Sequence, residues 1–377
     1  MELTTLRGRR AARVLAGISG AVLLALPAAA QEGAPKQKEP PTAEKIAEWK
    51  AEAEARPLFK TDEVLAFTLT GNLRNISRDR DTMSTTEHWG EVTLPGIEGG
   101  EATKLPVQLR TRGHFRLLNR NCGFVPLRLN FATKAMKGTI FEGQDKLKLI
   151  THCNSNAMFD EYVIREYLAY RVHNIVTPRS YRARLARVTY VDSASGKALE
   201  TRNAVLLEHE DDVAKRMEGE IAELRRALFD DMDPVQMNEV ALFEWFIGNT
   251  DWSLYALHNI RLVRRLDQTI LPIAYDLDFS GLVGTRYATP DPRLGIRSVR
   301  ERLYRGPCRT MEEYEPHLAI YREKEAEILA LFESFPGLDS RYRQETTRFL
   351  RDFFSLLKRP ADLKVTLVDT CKRQPSV

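Results

Sequence analysis

The sequence predicts an α+β fold, with a β-rich N-terminal lobe at about residues 62–150 and a mainly helical C-terminal lobe at about 155–377. Two observations predict it. VLAFTLTG, KLPVQLRTRG and FVPLRLNF alternate apolar and polar side chains between glycine and asparagine breaks, and KLKLI at 146–150 adds a further strand. From Phe159 the period changes: Phe159, Tyr162, Val163, Tyr167, Leu168 and Val172 recur at helical spacing, behind Asn154, Ser155 and Asn156 as caps.

The remaining elements follow in order. Thr42–Arg56 reads as a short helix docked by Trp49. ARLARVTYVD and NAVLLEHE read as strands joined by a turn at SASGK, and residues 212–229 as an exposed charged helix. At 233–248, Asp233 is an N-cap, Pro234 suits the first helical position, and Gly248 ends the segment. Residues 311–358 carry a helical pattern again.

Residues 1–30 are set aside as a secretory signal peptide. Arg7, Arg9, Arg10 and Arg13 precede an apolar run from Val14 to Leu26, and Ala28–Ala30 offer small residues for cleavage near Ala30. No cysteine stands there to take a lipid, and no later stretch is long and apolar enough to span a bilayer. The mature chain is therefore expected to be exported, periplasmic or secreted. Residues 1–30 hold four Arg and one Glu, so their removal lowers the formal net charge from +4 to +1. That near-neutral balance gives no electrostatic case for a nucleic-acid partner, and none is expected. Residues 31–41 read as a Pro-rich linker. Cys122, Cys153, Cys308 and Cys371 allow three pairings in an oxidising compartment; Cys122–Cys153 and Cys308–Cys371 are favoured, each pair lying within one region of the chain.

Chemistry concentrates in GNTDWSLYALHNIRLVRRLDQTILPIAYDLDFSG, residues 248–281. A helix ending at Gly248 is followed by a polar loop with Asn249, Asp251 and Asn259. Ile260–Val263 and Ile270–Tyr275 then read as a hairpin, which brings Asn259 and Asp276 together. Phosphoryl transfer needs such a set: a carboxylate near the acceptor hydroxyl, and oxygen ligands for a hard cation. Asp251 fits the first role, Asn259 and Asp276 the second, with Asp278 a further ligand or a group that orients its neighbour. Turn chemistry alone also favours Asn and Asp at these places.

This stretch resembles the catalytic segment of the CotH family, the spore-coat-protein-H-type atypical protein kinases, in Asp251, Asn259 and YDLD at 275–278. RTRGHFR at 110–116, the helix DEYVIREYLAYRV, the strand ARLARVTYVD and AVLLEHEDDVAKR follow in the family's order. Tyr275 stands where the family carries Trp, and VPLRLNF stands where a phosphate-holding Lys is expected. The resemblance implies a two-lobed atypical protein-kinase-like fold. It implies transfer of phosphate from ATP or another nucleotide, with magnesium or manganese, to a hydroxyl on a protein or small molecule. Asp251 would be the base and Asn259, Asp276 and Asp278 the metal set. Arg112, Lys148 and Glu208 would serve the nucleotide, Glu208 facing the cleft to orient a Lys or the metal. Arg128 and Lys146 are further phosphate-binding candidates. Against these stand a solvated strand face for Arg110, Arg112, His114 and Arg116, which is favoured, and another for Arg179–Arg187. A non-catalytic cell-envelope binding or assembly protein is the alternative function, and a metal-dependent hydrolase a third.

Overall fold

The computed structural model describes residues 41–96 and 100–371; the signal-peptide and linker expectations for residues 1–40 lie outside them. Chain order is α1 (Ala43–Ala55), β1 (Leu65–Gly71), α2 (Leu73–Ile76), β2 (His88–Leu94), β3 (Thr103–Thr111), β4 (Leu127–Phe131) and β5 (Lys146–Ile150). There follow α3 (Ala157–Val176), β6 (Ala183–Asp192), β7 (Lys197–Leu207), α4 (Glu210–Arg216), β8 (Gly219–Ala222) and α5 (Pro234–Ile247). The chain closes with β9 (Ile260–Arg265), β10 (Ile270–Ala274), α6 (Met311–Ser334), α7 (Ser340–Leu357) and α8 (Pro360–Lys364).

Seven strands form a closed mixed barrel in the order β1-β2-β3-β4-β5-β7-β6. The two-lobed kinase-like expectation is overturned here. The β-rich segment does not make an open lobe of its own; β6 and β7, beyond α3, complete a barrel with β1 to β5. Closure comes from a parallel pairing of β1 with β6, from Leu65↔Ala186 to Gly71↔Asp192. Nothing in either strand's own alternation announces a partner that distant. Alternation does fix what fills the barrel: Leu105, Val107, Leu109, Leu127, Leu129, Phe131, Leu147, Leu149, Val188 and Leu206 are buried in one core. A second core gathers α3, α5, α6, α7 and the β9–β10 hairpin around Trp245, Phe246, Phe353 and Phe354. The hairpin and β8 form a separate sheet, ordered β10-β9-β8.

Several local expectations change. α1 docks through Ile46 and Ala53, while Trp49 stays half-buried. The charged helix expected at 212–229 ends at Arg216: Glu218 takes the left-handed region (φ 62°), and β8 pairs with β9 instead. Gly219 permits that approach, since a Cβ there would lie 2.4 Å from the Arg264 carbonyl oxygen. Arg184, read as solvated, is buried and donates to the carbonyls of Leu58 and Glu63 at 2.9 and 3.0 Å. Burial of backbone carbonyls needs such donors.

Both favoured disulfides are present, Cys122–Cys153 and Cys308–Cys371. Disulfides belong to oxidising compartments, as expected of an exported chain. Among the described residues no helix is long and apolar enough to cross a membrane.

Candidate functional site

The loop carrying Asp251 is set by the helix before it. The Asp233 carboxylate caps α5 by accepting from the Gln236 N–H at 2.8 Å, and Gly248 ends it at φ 68°, where a side chain would be strained. The Asn249 side chain then accepts from the Asp251 N–H at 3.0 Å, an Asx turn that fixes Asp251. The hairpin register sets Ile260 opposite Ala274, and the Tyr275 N–H donates to the Asn259 carbonyl at 3.0 Å. Asn259 and Asp276 are therefore brought together as expected. Both hold left-handed backbone, φ 54° and 63°, which Asn and Asp tolerate better than most residues.

Each Asp251 carboxylate oxygen has one protein partner. Oδ1 faces His258 Nε2 at 3.1 Å, and Oδ2 accepts from Asn259 Nδ2 at 3.2 Å. The hydrogen bond to Asp251 raises the His258 pKa. Asn259 Nδ2 also donates to the Asp251 carbonyl at 2.7 Å. The Asp276 N–H donates to the Tyr170 hydroxyl at 2.9 Å. Asp278 is buried and accepts from the Tyr287 hydroxyl at 2.9 Å; burial, then Asp276, pushes its pKa up to about 7.

Facing this wall is one made of cations. The outer face of the barrel sets Arg110 directly opposite Arg128, and Arg128 directly opposite Lys148, across β3, β4 and β5. Arg110, for which a solvated face is favoured, and Arg112, for which a nucleotide role stands beside that reading, line this cleft of about 640 Å³ together with Arg128, Lys148, Asp251 and Asp276. Among the described residues Arg110, Arg112 and Arg128 have no ion-pair partner. Lys146, a further phosphate-binding candidate, is not part of the cleft lining and lies 3.5 Å from Asp145.

Lys148 is buried, 4.6 Å above the Tyr275 ring and 3.1 Å from Glu210. Burial, then Arg112, lowers its pKa to about 8. Burial alone would raise Glu210, yet Lys148 and Arg261 outweigh it and hold that carboxyl at about 2. Glu208, expected to face the cleft, does not line it. It forms a buried two-point pair with Arg216, at 2.7 and 2.8 Å, and accepts from the Arg182 N–H. Strand β7 ends at Leu207, so Glu208 turns inward and the first residue of α4, Glu210, reaches Lys148.

Sequence reasoning also missed Glu166. It lies in α3 on the stripe of Tyr162, Val163 and Tyr170, and a carboxylate on an apolar stripe was the available signal. Glu166 is buried, and one carboxyl oxygen lacks a hydrogen-bond partner among the described residues. Burial raises its pKa far above normal, and Asp278 and Asp276 raise it further. This end of the cleft thus holds crowded, buried carboxylates that a cation would relieve. Among the described residues no three His, Cys, Asp or Glu side chains are grouped to hold a metal ion by themselves. Two carboxylates and an amide oxygen, shared with phosphate oxygens, are the kind of set magnesium takes.

No family model matches the chain, and no curated protein matches it.

Proposed function

We propose that the cleft binds a nucleotide polyphosphate and transfers its terminal phosphate to a hydroxyl acceptor, as an exported, CotH-like phosphotransferase. The observation that carries this reading is the opposition of two walls: a row of cations on β3–β5, in which Lys148 is paired with Glu210 while Arg110 and Arg128 have no ion-pair partner among the described residues, and Asp251, Asn259, Asp276 and Asp278 across the same cleft. Like charges directly opposite in a sheet are unfavourable, so a row of them makes physical sense where an anion neutralises it. The motif order along the chain, shared with the CotH family, supports the same reading.

Each residue then has a task. Arg110, Arg112 and Arg128 bind phosphate oxygens. Lys148 is held by Glu210 from one side and by the Tyr275 face from another, so its ammonium is positioned before ligand arrives. Asp251 accepts the acceptor's hydroxyl proton, oriented by His258 and Asn259. A divalent cation, held by Asp276 and Asp278 with the Asn259 amide oxygen, would neutralise phosphate charge. Positioning and electrostatics are what this chemistry requires.

The test is transfer of labelled terminal phosphate from ATP, with magnesium or manganese, to added protein and small-molecule hydroxyl acceptors, beside Asp251→Ala. The reading expects label on an acceptor with wild type and none with the variant. Equal labelling by both would remove Asp251 from the mechanism.

A further inference from the structure

We propose that Thr82 is an acceptor built into the chain itself, phosphorylated by the cleft it borders; this rests on the phosphotransfer reading above. Among the described residues two Ser or Thr side chains line the cleft, Thr82 and Thr111. Thr111 is buried at the end of β3, whereas Thr82 lies exposed between α2 and β2.

That loop is held in place beside the cleft. The Arg80 guanidinium donates to the carbonyls of Ser77, Leu117, Cys122 and Gly123 at 2.5, 3.2, 3.0 and 2.8 Å. The last three belong to the segment that follows cleft-lining Gly113–Arg116 and is tied down by the Cys122–Cys153 disulfide. A tight turn comes next: the Ser84 N–H donates to the Asp81 carbonyl at 3.1 Å, and the Asp81 side chain accepts from the Met83 N–H at 2.9 Å. Thr82 occupies the corner of that turn. Ser84 is committed elsewhere, its hydroxyl donating to Asp79 at 2.6 Å, while the Thr82 hydroxyl has no hydrogen-bond partner among the described residues.

In the step, Thr82 Oγ1 forms a bond to the terminal phosphorus. The bridging P–O bond breaks, the nucleoside diphosphate leaves, and the hydroxyl proton passes to the Asp251 carboxylate. The new phosphate then shares the cleft with Arg110, Arg112 and Arg128, whose guanidinium groups suit a phosphate dianion.

The experiment treats the mature protein with a phosphatase, then incubates it with ATP and manganese and maps phosphopeptides by tandem mass spectrometry. An added protein acceptor is present in parallel. The expected result is one phosphate on Thr82, absent in Asp251→Ala, lost in Thr82→Val and retained in Thr82→Ser, with both Thr82 variants still modifying the added acceptor. Modification of the added acceptor with Thr82 unmodified overturns this inference alone. No phosphate on any residue or acceptor overturns it together with the phosphotransfer reading.

Discussion

Arg128 and Lys148 stand directly opposite one another on β4 and β5, two cations on one face of a sheet. Arg128 also feels Arg112 and Arg110, and burial lowers its pKa. Such a pair costs stability until an anion arrives, roughly 0.2–1 kcal/mol for directly opposed like charges. Arg128→Gln is therefore expected to leave the ligand-free protein as stable as wild type or up to about 1 kcal/mol more so. It should also weaken nucleotide binding about tenfold or more, the loss of a charge-assisted contact worth about 1.5–3 kcal/mol. Urea unfolding and nucleotide titration of both proteins check the two halves together.

Asp251 is accessible to the cleft, with its side chain 40 % exposed. Asp251→Asn removes the base without leaving a buried hole. Transfer should fall by about 10²–10⁴-fold, while the melting temperature and nucleotide affinity stay near wild type. A steady-state rate measurement beside a binding isotherm separates these effects.

Glu208 and Glu210 lie two positions apart and make opposite predictions. Glu208→Ala strands the buried Arg216 guanidinium and should cost about 3–5 kcal/mol of stability, with nucleotide affinity unchanged at temperatures where the variant is folded. Glu210→Gln frees Lys148 from its partner and should weaken nucleotide binding, with a smaller loss of stability because Glu210 borders the open cleft. Equal effects of the two substitutions on affinity would contradict the division of roles.

Glu244, near the end of α5, is fully buried. Burial pushes its pKa from 4.5 up to about 8, against the opposing pull of Asn249 and Arg305. The folded protein thus holds this proton where the unfolded chain releases it. The associated stability is fully present below pH 4.5 and is lost as pH rises through about 8. Glu244→Gln removes that dependence. The stability of the variant relative to wild type should grow between these limits, measured by denaturant unfolding at several pH values; parallel pH profiles would contradict the assignment.

Legibility followed the range of the interactions. The Asn259–Asp276 neighbourhood, the capped helix before Asp251 and both disulfides were readable because each follows from a local pattern: a hairpin, a cap and stop signal, or paired cysteines within one region. Barrel closure was not readable, since Leu65–Gly71 and Ala183–Asp192 alternate like any half-buried strand and name no partner. Arg128 and Lys148 stand among the phosphate-binding candidates, but a solvated face is favoured for Arg110, because alternation separates two faces of a strand and does not say what covers the second. Glu208 is misplaced because NAVLLEHE reads as one strand, whereas β7 stops at Leu207 and the chain turns before Glu210. Glu166 sits in a helix whose neighbours are apolar, and its role depends on the arrival of Asp276 and Asp278 from far along the chain.

The most direct test of the nucleotide–metal cleft is thermal unfolding of the mature protein with and without ATP plus manganese, beside Asp276→Ala. A ligand that binds only the folded state stabilises it by about 2.7 kcal/mol at a hundred times its dissociation constant. A clear rise in melting temperature for wild type that disappears in Asp276→Ala is the predicted result. No rise at millimolar ligand, or an equal rise in both proteins, would contradict the account and leave the acidic residues of the hairpin as turn chemistry.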